Sequence, residues 1–167
     1  MNIEQTAIQA MQYFAQSLKP KGKGWKILEV NANGVREYHN MFSEGNTYLC
    51  MSTLNMGGVD YIRPDLEHFG DIEDKSFDVL IHTLSLQQIW DFRKSLSESF
   101  RVLKPGGFLL INVPWVCENR GENDYWRISH HALSKLLEEA GFDNGRVAMW
   151  NDCLTAGITR RPNDSKP

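Results

Sequence analysis

The chain has 167 residues, 41% of them hydrophobic, enough for one globular domain with its own core and too few for two of ordinary size. Its 18 Lys and Arg against 21 Asp and Glu give a formal net charge of -3, so no global basic field draws in a nucleic-acid backbone. No apolar run reaches the roughly 20 residues of a membrane helix and the first residues lack a signal-peptide pattern, so a cytoplasmic location without membrane attachment is expected.

Ile3, Ala7, Met11, Phe14, Ala15 and Leu18 recur at three- and four-residue intervals and predict a helix over residues 3–18 that ends at Pro20. A basic loop with two glycines and a proline follows, then a first strand from Trp25 to Val30. Residues 35–43 predict a short helix, residues 47–51 a second strand and residues 59–62 a weaker third. Phe77, Val79, Leu80 and Ile81 mark a buried strand, and Phe92, Leu96, Phe100 and Leu103 a helix stopped by Lys104-Pro105-Gly106-Gly107. A continuous apolar strand over residues 108–113 ends at Pro114. Ser129 is a good N-cap for a helix through Leu133, Leu136, Leu137 and Ala140, closed by Gly141. Residues 146–150 and 153–159 suit two antiparallel strands, and residues 161–167 a flexible tail after one domain over residues 1–160.

Strands alternating with helices imply a mostly parallel sheet covered on both faces, a three-layer Rossmann-like α/β fold with an antiparallel strand near the C-terminus. Ligands of such sheets bind beyond the carboxyl ends of the strands, where strand order reverses. That points to residues 31–34, 52–55, 63–69, 82–88 and 114–127. Cys50, Cys117 and Cys153 are far apart and join no CxxC or Cys/His cluster, so neither a disulfide framework nor a metal site is expected. GxGxxG and GxxxxGK[ST] are both absent, which argues against a nicotinamide-dependent oxidoreductase and a P-loop nucleotide hydrolase.

The run Ile27-Leu28-Glu29-Val30-Asn31-Ala32-Asn33-Gly34 is followed by Asp65-Leu66, by Ser76-Phe77-Asp78-Val79-Leu80 and by Leu103-Lys104-Pro105-Gly106-Gly107-Phe108. Asp124-Tyr125-Trp126-Arg127 and the stretch from Leu136 to Phe142 complete an ordered series that resembles the class I S-adenosylmethionine-dependent methyltransferases, most closely the type 11 branch. The resemblance covers roughly Trp25 to Phe142. It implies S-adenosylmethionine as cofactor, with Glu29, Asn31, Asn33, Gly34, Ser52, Asp65 and Leu66 around it.

This chain departs from the family at three places. Asn31 and Asn33 stand where the family has glycines, adding bulk in a turn that asparagine tolerates best among non-glycine residues. Ser52 replaces the carboxylate that usually meets the ribose, which weakens one hydrogen bond. Leu86-Gln87-Gln88 replaces a motif resembling Leu-Glu-His, leaving His82 as the ionisable candidate for a catalytic role beside its alternative as a hydrogen-bonded structural histidine.

Residues 114–127 are too many for a minimal connection, and loops of this length are commonly functional. Trp115, Tyr125, Trp126 and Arg127, with His131 from the following helix, are the acceptor-binding candidates. Arg127 could meet a carboxylate or phosphate, or instead pair with Asp124 while the two aromatic residues pack the loop onto the sheet. His130 and His131 should point in different directions from their helix, which disfavours a shared metal. Two functions remain open at this point: methyl transfer to a small-molecule or glycan acceptor, and a catalytically inactive binding or regulatory module of the same fold.

Overall fold

The computed structural model describes residues 2–18, 23–31, 38–143 and 145–164. Among them, helices α1 (Ile3–Leu18), α2 (His39–Phe42), α3 (Phe92–Val102) and α4 (His130–Glu139) are set around seven strands. The strands are β1 (Lys26–Asn31), β2 (Thr47–Ser52), β3 (Tyr61–Ile62), β4 (Phe77–Thr83), β5 (Leu103–Pro114), β6 (Arg146–Trp150) and β7 (Leu154–Arg160). They form one sheet in the order β3-β2-β1-β4-β5-β7-β6. Only β7 is antiparallel to its neighbours, so the mostly parallel α/β sheet expected from the sequence is found. Strand order reverses between β1 and β4, which puts the crevice at their carboxyl ends.

Alternation along each strand divides the side chains between two cores. Ile27, Tyr48, Val79, Ile81 and Leu110 pack beneath α1 and α2, where the stripe of Ala7, Met11, Phe14 and Leu18 is buried as its spacing predicts. Leu28, Val30, Met51, Leu80 and Ile111 pack beneath α3 and α4. Each fully buried side chain of this size contributes about 1.5–3 kcal/mol. The same alternation sends Glu29 and Asn31 to the α1 face and His82 to the α3 face.

Capping follows the sequence. Ser129 Oγ accepts from the Ala132 amide at 3.2 Å at the start of α4, and Asp91 accepts from the Lys94 amide at 3.4 Å at the start of α3. Gly141 closes α4 with φ +97.

Several boundaries differ from expectation. No loop separates α3 from the following strand: α3 ends at Val102 and β5 starts at Leu103, with a register shift opposite residues 77–79. Gly107 makes this possible, because a Cβ there would lie 2.9 Å from the Lys104 carbonyl and 3.0 Å from that of Asp78. Lys104 Nζ then reaches both oxygens of Asp78 at 2.9 and 2.8 Å. Pro114 is the last residue of β5 and not the residue beyond it, while β3 is only two residues long. α2 covers only the end of the helix expected over residues 35–43, whose first part, like Pro20, lies outside the described residues. Arg161, expected to open a loose tail, is buried and donates to the carbonyls of Phe100, Arg101 and Leu103 at 2.8, 3.2 and 2.8 Å.

Candidate functional site

β1 carries a carboxylate to the crevice end of the sheet. Glu29 is fully buried, and a carboxylate in that position needs hydrogen-bond donors to stay ionised. Tyr48 on β2 donates to Oε2 at 2.6 Å, and the Asn31 amide donates to Oε1 at 3.2 Å. Burial first, and the Glu29 charge second, push the Tyr48 phenol far above its ordinary pKa, so it remains a donor. Asn33 and Gly34 lie outside the described residues.

β4 ends in two polar networks, one on each face. On the α3 face, His82 Nδ1 lies 2.6 Å from Ser85 Oγ and Nε2 lies 3.0 Å from Ser95 Oγ. Ser85 Oγ donates its one hydrogen to the Val30 carbonyl at 3.2 Å, which assigns the histidine tautomer: Nδ1–H donates to Ser85, and Nε2 accepts from Ser95. Burial lowers the His82 pKa to about 3, so the ring is neutral at pH 7. His82 has no exposed surface and both nitrogens are occupied, so it braces β4 against β1 and α3 and does not open onto the crevice.

On the α1 face, Tyr38 Oη lies 2.8 Å from Thr83 Oγ1, which also accepts from Asn112 Nδ2 at 3.1 Å. Asn112 Oδ1 accepts the Leu84 amide at 3.0 Å. Leu84 has φ +39, a left-handed conformation that costs a side-chain-bearing residue about 1–2 kcal/mol, and the Asn112 bond helps hold it. The two glutamines that replace Glu-His build the next turn. Gln87 Nε2 donates to the Leu84 carbonyl at 2.7 Å, and the Gln87 carbonyl accepts the amides of Tyr125 and Trp126 at 2.8 and 3.2 Å. This clasp joins the loop after β4 to the loop after β5.

Beside these networks a cavity of about 290 Å³ opens at the carboxyl ends of β2, β3 and β4. Thr53, Asp65, Leu66, Gln88, Trp90 and Tyr125 are among its walls, so four of the five segments selected from the sequence converge there. Asp65 Oδ1 accepts the amides of Glu67 and His68 at 2.8 and 3.1 Å. That turn leaves Asp65 Oδ2 and the Leu66 amide without partners in the described chain, an acceptor beside a donor. Ser52 is fully buried, and its hydroxyl accepts the Leu54 amide at 3.1 Å. A larger cavity of about 590 Å³ lies between α1 and α2 at the opposite, amino end of the sheet, away from every one of these groups.

The loop over residues 115–127 closes one wall. Arg127 grips both oxygens of Asp124 at 2.6 Å, an ion pair that holds the Asp124 carboxyl below its usual pKa and the guanidinium above its own. Trp126 donates its indole N–H to the Ile89 carbonyl at 2.9 Å, and Trp90 packs edge-on against Tyr125 with ring centroids 5.3 Å apart. The amides of Trp115 and Val116 both donate to the Cys153 carbonyl, and Arg120 pairs with Glu4 at the start of α1. Of the two readings of this loop, the structure adopts internal pairing of Arg127, while Tyr125 also lines the cavity. His131 is exposed in the first turn of α4, and its ring lies 4.0 Å from that of His130 with the planes tilted by 38°, in contact and not divergent as expected. Among the described residues, no group of three His, Cys, Asp or Glu is arranged to hold a metal.

Thus Asp65, Leu66 and Tyr125 share one cavity, Ser52 adjoins it through Thr53, and Glu29 and Asn31 lie at the end of β1. Trp90 and the Tyr38–Thr83–Asn112 network were not anticipated. Asn112 had a visible signal, since a polar residue inside the apolar run Leu109-Leu110-Ile111-Asn112-Val113 needs a buried partner.

The strand order and the crevice define a class I, Rossmann-like methyltransferase fold. A family model described as methyltransferase domain, type 11, matches residues 20–111, and the chain belongs to this S-adenosylmethionine-dependent family. It is 40% identical over 98 residues to phthiotriol/phenolphthiotriol dimycocerosates methyltransferase 1 of Mycobacterium ulcerans, covering 59% of this chain and 31% of that protein. It is 36% identical over 108 residues to the ubiquinone/menaquinone biosynthesis C-methyltransferase of Haemophilus ducreyi, covering 53% of this chain and 41% of that one. The chain therefore spans less than half the length of these relatives. In fold it resembles the 1,6-didemethyltoxoflavin-N1-methyltransferase of Burkholderia thailandensis, solved with bound 1,6-didemethyltoxoflavin and S-adenosylhomocysteine. The TM-score is 0.70 at 14% identity, over 92% of this chain and 79% of that one.

Proposed function

We propose that this chain transfers a methyl group from S-adenosylmethionine to a small-molecule acceptor. The observation that carries the reading is the pairing of Asp65 Oδ2 with the Leu66 amide, an unpartnered acceptor next to an unpartnered donor in the wall of the 290 Å³ cavity. A 6-aminopurine presents the complementary donor and acceptor on one edge. The residues present therefore fit the nucleoside end of the cofactor: Asp65 and Leu66 would take the base, and Thr53, in the same cavity wall next to the buried Ser52, would meet the ribose.

Bound there, the cofactor supplies a methyl group already activated on a positively charged sulfur. The protein's own contribution is then alignment and exclusion of water. Asn112 and Gln87 fix the turn at Leu84, the Gln87 clasp holds the loop over residues 115–127 against the crevice, and His82 braces β4 from behind. No general base is assigned to His82. The relatives named above are, by their names, a phthiotriol/phenolphthiotriol dimycocerosates methyltransferase and a C-methyltransferase of ubiquinone/menaquinone biosynthesis, in keeping with a small-molecule acceptor.

Calorimetric titration of the chain with S-adenosylmethionine and S-adenosylhomocysteine tests this reading. Micromolar binding of both supports it. Silence in the native chain with binding restored in Asn31→Gly would instead identify a module whose cofactor crevice is closed by its own asparagine.

A further inference from the structure

The two edges of the sheet are unlike. At one end β3 is two residues long and is soon followed by Pro64, which makes it a poor template for another strand. At the other end β6 runs for five residues, Arg146-Val147-Ala148-Met149-Trp150, with no proline, lysine or acidic residue among them. The Arg161 amide donates to the Gly107 carbonyl, and the Asp143 amide to the Arg160 carbonyl, both at 2.9 Å. Odd-numbered residues of β7 therefore bond β5, and even-numbered ones bond the β6 side. Arg146, Ala148 and Trp150 stand opposite Ile158, Ala156 and Leu154, so their backbone groups are used within the sheet. The N–H and C=O groups of Val147 and Met149 point away from β7, where no further strand follows among the described residues.

The surface beside this edge is depleted of charge. α1 turns Tyr13 and Ser17 toward β6: the Tyr13 ring packs against Trp150 with centroids 5.3 Å apart, and Ser17 Oγ accepts from Arg146 at 3.0 Å. Gln9 shares that helix face one turn earlier, and all three side chains are exposed. Glu4 is the one charged residue of α1, and it is paired with Arg120. A solvated helix face ordinarily carries Lys, Arg and Glu, whereas lost charge around an exposed aromatic side chain is the composition of a protein–protein contact.

We propose that β6 pairs antiparallel with β6 of a second copy of this chain, about a two-fold axis through Ala148, so that two sheets continue as one. This register is the one that pairs all five residues, and in it the strand is complementary to itself. Val147 and Met149 of each copy exchange backbone hydrogen bonds with Met149 and Val147 of the other, four in all. Ala148 meets its own copy at the closely spaced position between them, about 4.5 Å between Cα atoms, where its small side chain fits. Arg146 falls opposite Trp150 of the second copy, a cation beside an aromatic ring, and the two arginines stay apart. The proposal does not depend on the methyltransferase reading, since β6 is the sheet's edge and the crevice opens between β1 and β4.

Sedimentation equilibrium of the full chain at about 100 µM should give twice the mass of one chain. Ala148→Glu and Ala148→Lys each change an exposed side chain, and each sets two like charges directly opposite one another across the axis. Either variant alone should raise the dimer dissociation constant about fivefold or more, with its circular dichroism spectrum unchanged. An equimolar mixture of the two variants should return the constant to within about twofold of the native value, because opposite charges then face each other. A native chain that stays monomeric leaves this edge to a different partner and overturns the proposal. So does a dimer that neither substitution weakens, and so does a pair of weakened variants whose mixture recovers nothing.

Discussion

The Tyr48 hydroxyl donates to Glu29 Oε2 at 2.6 Å across the β1–β2 pair, and neither residue of this pair is exposed to solvent to any useful extent. The bond fixes the one carboxylate that β1 brings to the crevice end of the sheet. Tyr48→Phe removes the donor and leaves the Glu29 charge short of a partner, at a cost of about 1.5–3 kcal/mol. Urea unfolding at pH 7 should show a loss of that size with the slope of the transition unchanged.

His82 gives stability a pH dependence with a definite sign. Its pKa falls from 6.5 to about 3 on folding because burial disfavours the charged ring. Below pH 6.5 the unfolded chain therefore binds a proton that the folded chain does not, so stability is full above that pH and is lost as pH falls toward 3. The slope approaches 1.4 kcal/mol per pH unit, or about 2 kcal/mol lost between pH 7 and pH 5. His82→Gln should be less stable at pH 7, having lost the fit to Ser85 and Ser95, and should lose less over that interval. Unfolding free energies of both proteins at pH 7, 6 and 5 check this.

Asn112→Ala strips the acceptor from the Leu84 amide and the donor from Thr83. A buried unpaired amide costs about 1–3 kcal/mol, and the left-handed turn at Leu84 loses part of its support. Thermal melting should fall by several degrees, and S-adenosylhomocysteine binding should weaken with it.

Arg127→Ala should destabilise by about 1–3 kcal/mol, because the Asp124 side chain that it pairs with is only 1% exposed and is left charged with the Arg120 amide as its remaining donor. Limited proteolysis should then cut within residues 115–127 faster than in the native chain. Binding of S-adenosylhomocysteine should survive, since the guanidinium is turned toward Asp124 and not toward the cavity.

The order of elements was legible because each has its own local cause. Ala7, Met11 and Phe14 announce α1 by spacing, Ser129 and Gly141 bracket α4, and the apolar runs of β4 and β5 can only be buried strands. The start of β5 was not legible. Lys104-Pro105-Gly106-Gly107 reads locally as a stop, and only the close approach of Gly107 to the Asp78 carbonyl shows that the chain continues into the sheet. Asp65, Leu66 and Tyr125 could be assigned to one site because topology alone carries their loops to the same end. What His82 does was not decidable in advance: its partners Ser85 and Ser95 are generic residues whose role exists only once α3 lies against β4. Arg127 was ambiguous for a different reason, because the same guanidinium suits an outside anion or its neighbour Asp124, and only the closed ion pair decides between them.

The central claim is that a nucleoside base is read by Asp65 Oδ2 and the Leu66 amide. Asp65→Asn tests it most directly, because the new amide oxygen can still accept from Glu67 and His68 while the free oxygen becomes a donor. The calorimetric affinity for S-adenosylhomocysteine should fall about tenfold or more, the equivalent of one charged hydrogen bond, with thermal stability near that of the native chain. An unchanged affinity in a folded Asp65→Asn chain would contradict the account.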